Sequence, residues 1–163
     1  MPTELLLGRL SNGRVIRVIG RGTMHESVAF RATAESHTDG GVIIFDAMQC
    51  DFLDSTFLGC LVGIKKACDQ SPTTRFFIRA CDSTRVKLFS TSSLNKYFDF
   101  IDTCPEPIDE FERIDIDALD PITLGRHAMR CHEHLAERGG REAAAFRSVV
   151  DCLNKELGDR RTE

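Results

Sequence analysis

Residues 42–64, VIIFDAMQCDFLDSTFLGCLVGI, form the stretch of sequence that decides the fold. Val42 to Phe45 are a continuous apolar run behind Gly40-Gly41, which predicts a central strand, parallel to its neighbours and covered on both faces. Cys50 to Leu53 is predicted to be a loop at the carboxyl end of this strand. Because ligands of such sheets bind at the carboxyl ends of strands, the sequence places a candidate site directly after it.

A helix is predicted to begin after this loop and to end near Asp69. Asp54 and Ser55 are favourable caps, because their side-chain oxygens accept bonds from the unpaired N–H groups of a first helical turn. Residue types alone therefore assign Ser55 and Thr56 to capping. A hydroxyl in a first helical turn is also expected to be exposed, so we expect the Thr56 side chain to be accessible.

Strands and helices alternate on both sides of this stretch. Asn12-Gly13 between two apolar runs predicts a tight hairpin, because both residues tolerate positive φ. The pattern predicts an α/β fold: a mixed, mostly parallel sheet of four to five strands with helices packed on it. The other predicted elements are strands Leu5 to Leu10, Val15 to Ile19, Arg75 to Ala80 and Phe100 to Asp102, and helices His25 to Ser36 and Arg85 to Ser90.

The pattern changes after residue 105, which divides the chain into a main domain (1–105), an acidic connector (106–120) and a helical hairpin extension (121–158). Leu124, Ala128, Cys131 and Leu135 lie at helical spacing behind the cap Asp120-Pro121. Gly139-Gly140 is expected to end that helix. A second stripe follows: Phe146, Val149, Val150, Leu153 and Leu157. Short hairpins are marginal in water, so these stripes must pack against the main domain or a second copy of the chain.

Composition narrows the class of protein. The 163 residues carry a formal net charge of −4 and contain no long basic block, so binding to nucleic acid is not expected. The apolar runs are far shorter than the roughly 20 residues that cross a bilayer, and no secretory signal is visible. The seven cysteines form no Cys-x-x-Cys pair. Scattered free thiols favour a reducing cytoplasm, and no cofactor is expected.

The run Val42 to Asp46, followed by Asp54-Ser55-Thr56-Phe57-Leu58-Gly59, resembles the signature of the STAS family, which takes its name from sulfate transporters and anti-sigma factor antagonists. Downstream, Val86 to Phe89 and Leu94 to Phe98 look like the third helix of that family and the lead into its last strand. The resemblance covers roughly residues 4 to 105. We call residues 54–59 the signature segment.

The resemblance implies a regulatory protein rather than an enzyme. In anti-sigma factor antagonists, the second hydroxyl residue of the signature is phosphorylated, which corresponds here to Thr56, with Ser55 directly before it. The implied partner is an anti-sigma factor/serine kinase of the histidine-kinase-like ATPase type. The unphosphorylated form would bind it and the phosphorylated form would release it. A phosphate adds about −1.5 to −2 charges, enough to reverse docking of a partner.

The partner surface implied by the resemblance consists of the signature segment and the turn before the first helix. Its expected residues are Asp54, Phe57, Leu58, Gly22 and Thr23. Two of them depart from the family pattern: Phe57 stands where the family has glycine, and Thr23 where many members carry an acidic residue.

Phe57 has two interpretations. Its spacing with Leu61, Ile64 and Cys68 places it on an apolar stripe, which favours the core. Its position in the family pattern favours an exposed anchor for a partner, and exposure is the expectation here.

Three alternatives remain open. His127, Cys131 and His134 share one helix face and form a possible zinc site, although packed or solvated side chains are the commoner explanation. The chain resembles, in a second way, STAS scaffolds or adaptors of signalling assemblies and transporter complexes, in which Thr56 is never modified. The C-terminal hairpin could also join two copies into a homodimer.

Overall fold

The computed structural model describes residues 2–36, 40–90, 94–138 and 143–161, with side chains to residue 158. Within these ranges the chain forms one mixed sheet of seven strands. The strands are β1 (Glu4–Leu10), β2 (Gly13–Gly22), β3 (Gly41–Asp46), β4 (Cys50–Leu53), β5 (Thr74–Arg79), β6 (Phe100–Ile101) and β7 (Phe111–Ile114).

Five α-helices and one short 3-10 helix accompany the sheet in the described part of the chain. They are α1 (Met24–Glu35), α2 (Ser55–Asp69), α3 (Asp82–Phe89), the 3-10 helix Leu94–Lys96, α4 (Pro121–Glu137) and α5 (Ala143–Arg161).

The strand order is β6-β5-β3-β2-β1-β7, and β4 pairs with the far end of β2. β2–β3, β3–β5, β5–β6 and β2–β4 are parallel, whereas β1 pairs antiparallel with β2 and with β7. This confirms the predicted class, a mixed, mostly parallel sheet with packed helices. Ile43, Ile44 and Phe45 are all buried, as expected for a covered central strand.

The sheet has more strands than the four to five predicted. Cys50 to Leu53, expected as a loop, is the short strand β4, which pairs with Gly20 to Gly22 of β2 across an irregularity between Gly20 and Arg21. β7 lies inside the stretch 106–120 that was expected as a connector, and it pairs with the outer edge of β1. Both strands are four residues long, too short to show an alternating pattern against a charged background.

The core between α1, α2 and the sheet is aromatic. Phe30, Phe45 and Phe57 are each 0% exposed, and their ring centroids lie 5.1 to 5.6 Å apart. Tilted and edge-on pairs at this distance add favourable energy to the burial of the rings. Residue 57 therefore fixes α2 to the sheet from its first turn.

The C-terminal helices pack in cis on the main domain. α4 contacts α2 and α1, and α5 runs back along α4, with Leu157 near the end of α5 beside Gly125 near the start of α4. The α4 stripe Leu124, Ala128, Cys131 and Leu135 is buried as predicted. The α5 stripe is less buried, with Val149 exposed, although it reads as the stronger one in sequence. Gly139-Gly140, the expected helix stop, lies outside the described residues.

Among the described helices, none combines the length and the apolar character needed to span a membrane.

Candidate functional site

Asp54 joins the starts of two helices. Its Oδ1 accepts a hydrogen bond from Phe57 N at 2.8 Å, which caps α2, and its Oδ2 accepts one from Met24 N at 2.8 Å, which caps α1. Asp54 N donates to Gly22 O at 3.0 Å. The loop before α2 and the turn before α1 are therefore one unit at the carboxyl ends of β2 and β4.

Gly22 and Thr23, both expected to contact a partner, complete this unit. A Cβ on Gly22 would lie 2.5 Å from Leu53 Cδ2 and 3.1 Å from Phe57 Cδ2, so Gly22 packs directly against these two side chains and a larger residue would displace Leu53. Thr23 precedes α1, and its backbone N–H and hydroxyl both bond Glu26, as in a capping box. Gly22 is buried and Thr23 is half-buried, so the main role of both residues is to stabilise the turn before α1.

The structure contradicts the expected exposure of Thr56. Its side chain is only 6% exposed. Phe57 and Leu58 are buried too, so the expectation that Phe57 is an exposed anchor is wrong. Phe57 is buried because its ring packs in the aromatic core. Its position on the apolar stripe of the helix predicts this burial correctly. Thr56 lies three residues before Gly59 and therefore on the face of α2 on which α4 packs, which accounts for its burial.

The contact between α2 and α4 begins at the signature segment. Ser55 Oγ and His132 Nε2 are 2.8 Å apart, so the residue before Thr56 is hydrogen-bonded to the covering helix. At the other end of the contact, Lys66 Nζ lies 2.9 Å from Glu137 Oε2 and donates to His134 O at 3.3 Å. Both ends of the α2–α4 contact are thus fixed by polar bonds.

Two glycines let the helices approach closely. A Cβ built on Gly59 would lie 2.1 Å from the backbone oxygen of Cys131, and one on Gly63 would lie 2.7 Å from His134 Cδ2. Gly59 and Gly63 are four residues apart and therefore share a helix face. The signature residue Gly59 is thus the point at which the α4 backbone rests on α2.

A second serine–histidine pair ties α4 to α1. Ser27 Oγ donates its one proton to Met24 O at 2.7 Å, so it accepts from His127 Nε2 at 2.8 Å. His127 Nε2 therefore carries a hydrogen. The same nitrogen lies 3.5 Å from Cys131 Sγ. The His127 side chain is thus engaged within the contact between α1 and α4.

The environment of α4 alters the protonation of its histidines. Burial lowers the pKa of His132, and the nearby charge of Asp54 opposes this in part. Burial also lowers the pKa of His134, with the positive charge of Lys66 adding to the effect. The neutral form of both imidazoles is therefore favoured when α4 is docked on α2.

The structure does not assemble the possible zinc site. His127 bonds Ser27, whereas His134 lies against Gly63, about two turns along α4. Within the described ranges, no group of three or more histidine, cysteine or acidic side chains is arranged to hold a metal ion. The shared face of His127, Cys131 and His134 is instead the face that packs on α1 and α2.

Sequence reasoning missed the role of His132 and the covering of α2. The available signal was the pair Gly59 and Gly63, whose spacing on one face of a helix permits a second helix to pack closely.

Next to the covered site, Phe52 stays 39% exposed, with the Arg21 guanidinium 4.2 Å from its ring centre.

Two solved structures are similar to this chain. One is an anti-sigma factor antagonist from Mycobacterium paratuberculosis, with 17% identity and a TM-score of 0.49 over 63% of this chain and 87% of that one. The other is the anti-sigma factor antagonist SpoIIAA in its unphosphorylated form, with 17% identity and a TM-score of 0.49 over 61% and 89%. No family model matches the chain, and no curated protein matches it.

Proposed function

We propose that this chain is a non-catalytic, cytoplasmic regulatory protein of the anti-sigma factor antagonist type, which binds a partner protein through the signature segment. The proposed partner is an anti-sigma factor/serine kinase of the histidine-kinase-like ATPase type. In this structure, whose arrangement we call the closed form, α4 packs on the signature segment at Ser55 and Gly59. Partner binding therefore requires the C-terminal hairpin to leave α2.

The observation that carries this proposal is the hydrogen bond between Ser55 Oγ and His132 Nε2, at the first turn of the signature helix. A hydroxyl that a partner would contact is held by a helix of the same chain. Neutral hydrogen bonds of this kind contribute about 0.5–1.5 kcal/mol each, and water can replace them when the helices separate. The covering is therefore of the kind that a competing partner can displace.

Phosphorylation and docking of α4 exclude each other in this proposal. A kinase reaches Thr56 only when α4 has moved, because the side chain is buried. A phosphate on Ser55 would bring about −1.5 to −2 charges next to the buried ring of His132. Phosphorylation of either residue would therefore hold the hairpin open.

The burial of Thr56 favours a second candidate function. In a STAS scaffold or adaptor, the signature threonine is never modified, so its burial does not interfere with the function of the protein. The hairpin would then serve the assembly, including a homodimer formed through α5. The two candidates differ in whether the opened chain accepts a phosphate.

A test uses the Gly59→Ala variant, whose added methyl group would meet the Cys131 backbone and push α4 away. The matched control is Gly158→Ala on α5, where an added Cβ meets nothing within 4 Å. Both are mixed with an anti-sigma factor kinase of the same organism. Binding is measured by calorimetry without ATP, and phosphate incorporation is measured by intact mass after ATP is added.

We expect Gly59→Ala to bind about ten-fold tighter than wild type and the control, a gain of about 1.4 kcal/mol. We also expect it to gain one phosphate at Ser55 or Thr56. Binding without phosphate in every variant would favour the adaptor. Absence of binding in every variant would contradict the regulatory function itself.

A further inference from the structure

Two thiols meet where α4 crosses α2. Cys60 is 3% exposed and Cys131 is 1% exposed, and the two side chains interact, while Cys60 Sγ also lies 3.5 Å from Ser27 O. The close approach at Gly59 brings the two backbones together one residue away. Among the seven cysteines, this pair joins the main domain to the hairpin.

The surroundings of Cys131 favour its thiolate. The Cys131 side chain interacts with the Cys60 thiol, and the N–H of His127 Nε2, which Ser27 Oγ also accepts, lies 3.5 Å from the Cys131 sulfur. These interactions, the one with Cys60 first, lower the pKa of Cys131 to about 6, although burial opposes the shift. The pKa of Cys60 is raised, chiefly by its bond to Cys131 and by burial. One thiol is therefore a nucleophile and the other a proton-bearing neighbour.

A cavity leads to the pair. It has a volume of about 460 Å³, and both Cys60 and Cys131 line it. Arg31, Lys66 and Arg130 line it as well, together with Glu35 and Glu137, which pair with Arg31 and Lys66. The cavity is the route by which a small oxidant would approach the two side chains, which are themselves almost fully buried.

We propose that Cys131 and Cys60 form a peroxide-reactive pair, in which a hydroperoxide oxidises Cys131 and Cys60 resolves it into a disulfide between α4 and α2. The Cys131 thiolate attacks a peroxide oxygen, an S–O bond forms, the O–O bond breaks, and the leaving oxygen takes a proton as alcohol or water. Cys60 then attacks the Cys131 sulfur, so that an S–S bond forms and the S–O bond breaks with release of water. Two thiols lose two electrons to one hydroperoxide.

The disulfide would lock the hairpin over the signature segment. Its effect on partner binding rests on the proposed function, whereas its formation does not. Under oxidation the chain would stay closed whatever the kinase does, and a thiol reductant would return it to the displaceable state.

The test treats the folded, full-length chain with hydrogen peroxide, blocks the remaining thiols and maps disulfides by peptide mass. We expect a Cys60–Cys131 bond in wild type and in the Cys152→Ser control, whose thiol is exposed on α5. Cys60→Ser should leave Cys131 as a sulfenic acid that a dione probe traps. A His127→Gln variant should react roughly ten-fold more slowly at neutral pH and require a higher pH, because less thiolate forms.

Three results would overturn the proposal: no disulfide in wild type, a bond between other cysteines, or preferential oxidation of the half-buried Cys81. The pKa of that thiol is lowered to about 7 by bonds to Ser83 and Thr84, which makes it the natural competitor. Kinase binding is measured in a separate arm. A mapped Cys60–Cys131 bond without any kinase binding would retain the redox pair and reject the proposed function.

Discussion

The two faces of α2 are built differently. The face toward the sheet is apolar, with Phe57 fully buried against Phe30 and Phe45. The face toward α4 combines glycines and polar pairs, such as Ser55 with His132, with apolar residues of α4, of which Cys131 and Leu135 belong to the hydrophobic core. Opening the first face would expose aromatic rings to water, whereas opening the second exposes smaller apolar side chains together with groups that water can bond. We therefore expect the contact of α2 with the sheet, here called the core, to persist when α4, here called the cover, separates from α2.

The largest effect is expected from the core face. Phe57→Ala should destabilise the chain by about 3–5 kcal/mol, because it removes a ring from the fully buried cluster. Urea unfolding monitored by circular dichroism measures this. Phe52→Ala, which truncates a half-exposed ring, is the control and should cost no more than about 1 kcal/mol. Equal losses of unfolding free energy in the two variants would contradict the distinction between the buried core face of α2 and the rest of the surface.

The next effect concerns the cover alone. Gly59→Ala should loosen α4 at a cost of about 1–3 kcal/mol, because the added methyl group overlaps the Cys131 backbone. Gly63→Ala should cost less, since its new Cβ would meet the His134 ring, which can move. Gly158→Ala carries the same gain in helix propensity, up to about 1 kcal/mol, without a clash.

Hydrogen exchange by mass spectrometry distinguishes these variants. In Gly59→Ala, amides of α4 should exchange faster while β3 and β5 stay protected. Faster exchange throughout the sheet would show that the cover and the core open together.

A smaller effect is expected from pH. The pKa values of His132 and His134 are lowered from the ordinary 6.5, chiefly by burial. The docked form therefore binds fewer protons than the undocked form, so docking is strongest above pH 6.5 and weakens as the pH falls below it. Asp54 opposes this at His132, and Lys66 adds to it at His134.

The measurement is exchange of α4 amides at pH 7.5 and at pH 5.5, corrected for the intrinsic pH dependence of exchange. His132→Gln should reduce the difference, whereas His25→Gln, at an exposed position on α1, should leave it unchanged. A hairpin that is equally protected at both pH values would contradict the role assigned to the buried imidazoles.

The sheet could be predicted from sequence because its signals are local. The apolar run Val42 to Phe45 and the cap Asp54 each fix an element within a few residues, and both were found as expected. The covering of Thr56 depends on a contact between residues 77 positions apart, Ser55 and His132, which no local pattern encodes. The helical stripe through Phe57 did predict burial, and the family pattern pointed the other way.

The central claim is that α4 leaves α2 before the sheet unfolds, and native-state hydrogen exchange in increasing urea tests it most directly. We predict two groups of amides: those of α4 with a lower free energy of opening, and those of β3 and β5 with the free energy of global unfolding. The α4 group should shift further down in Gly59→Ala. A single free energy shared by α4, β3 and β5 would contradict the claim, because the hairpin would then be part of the core.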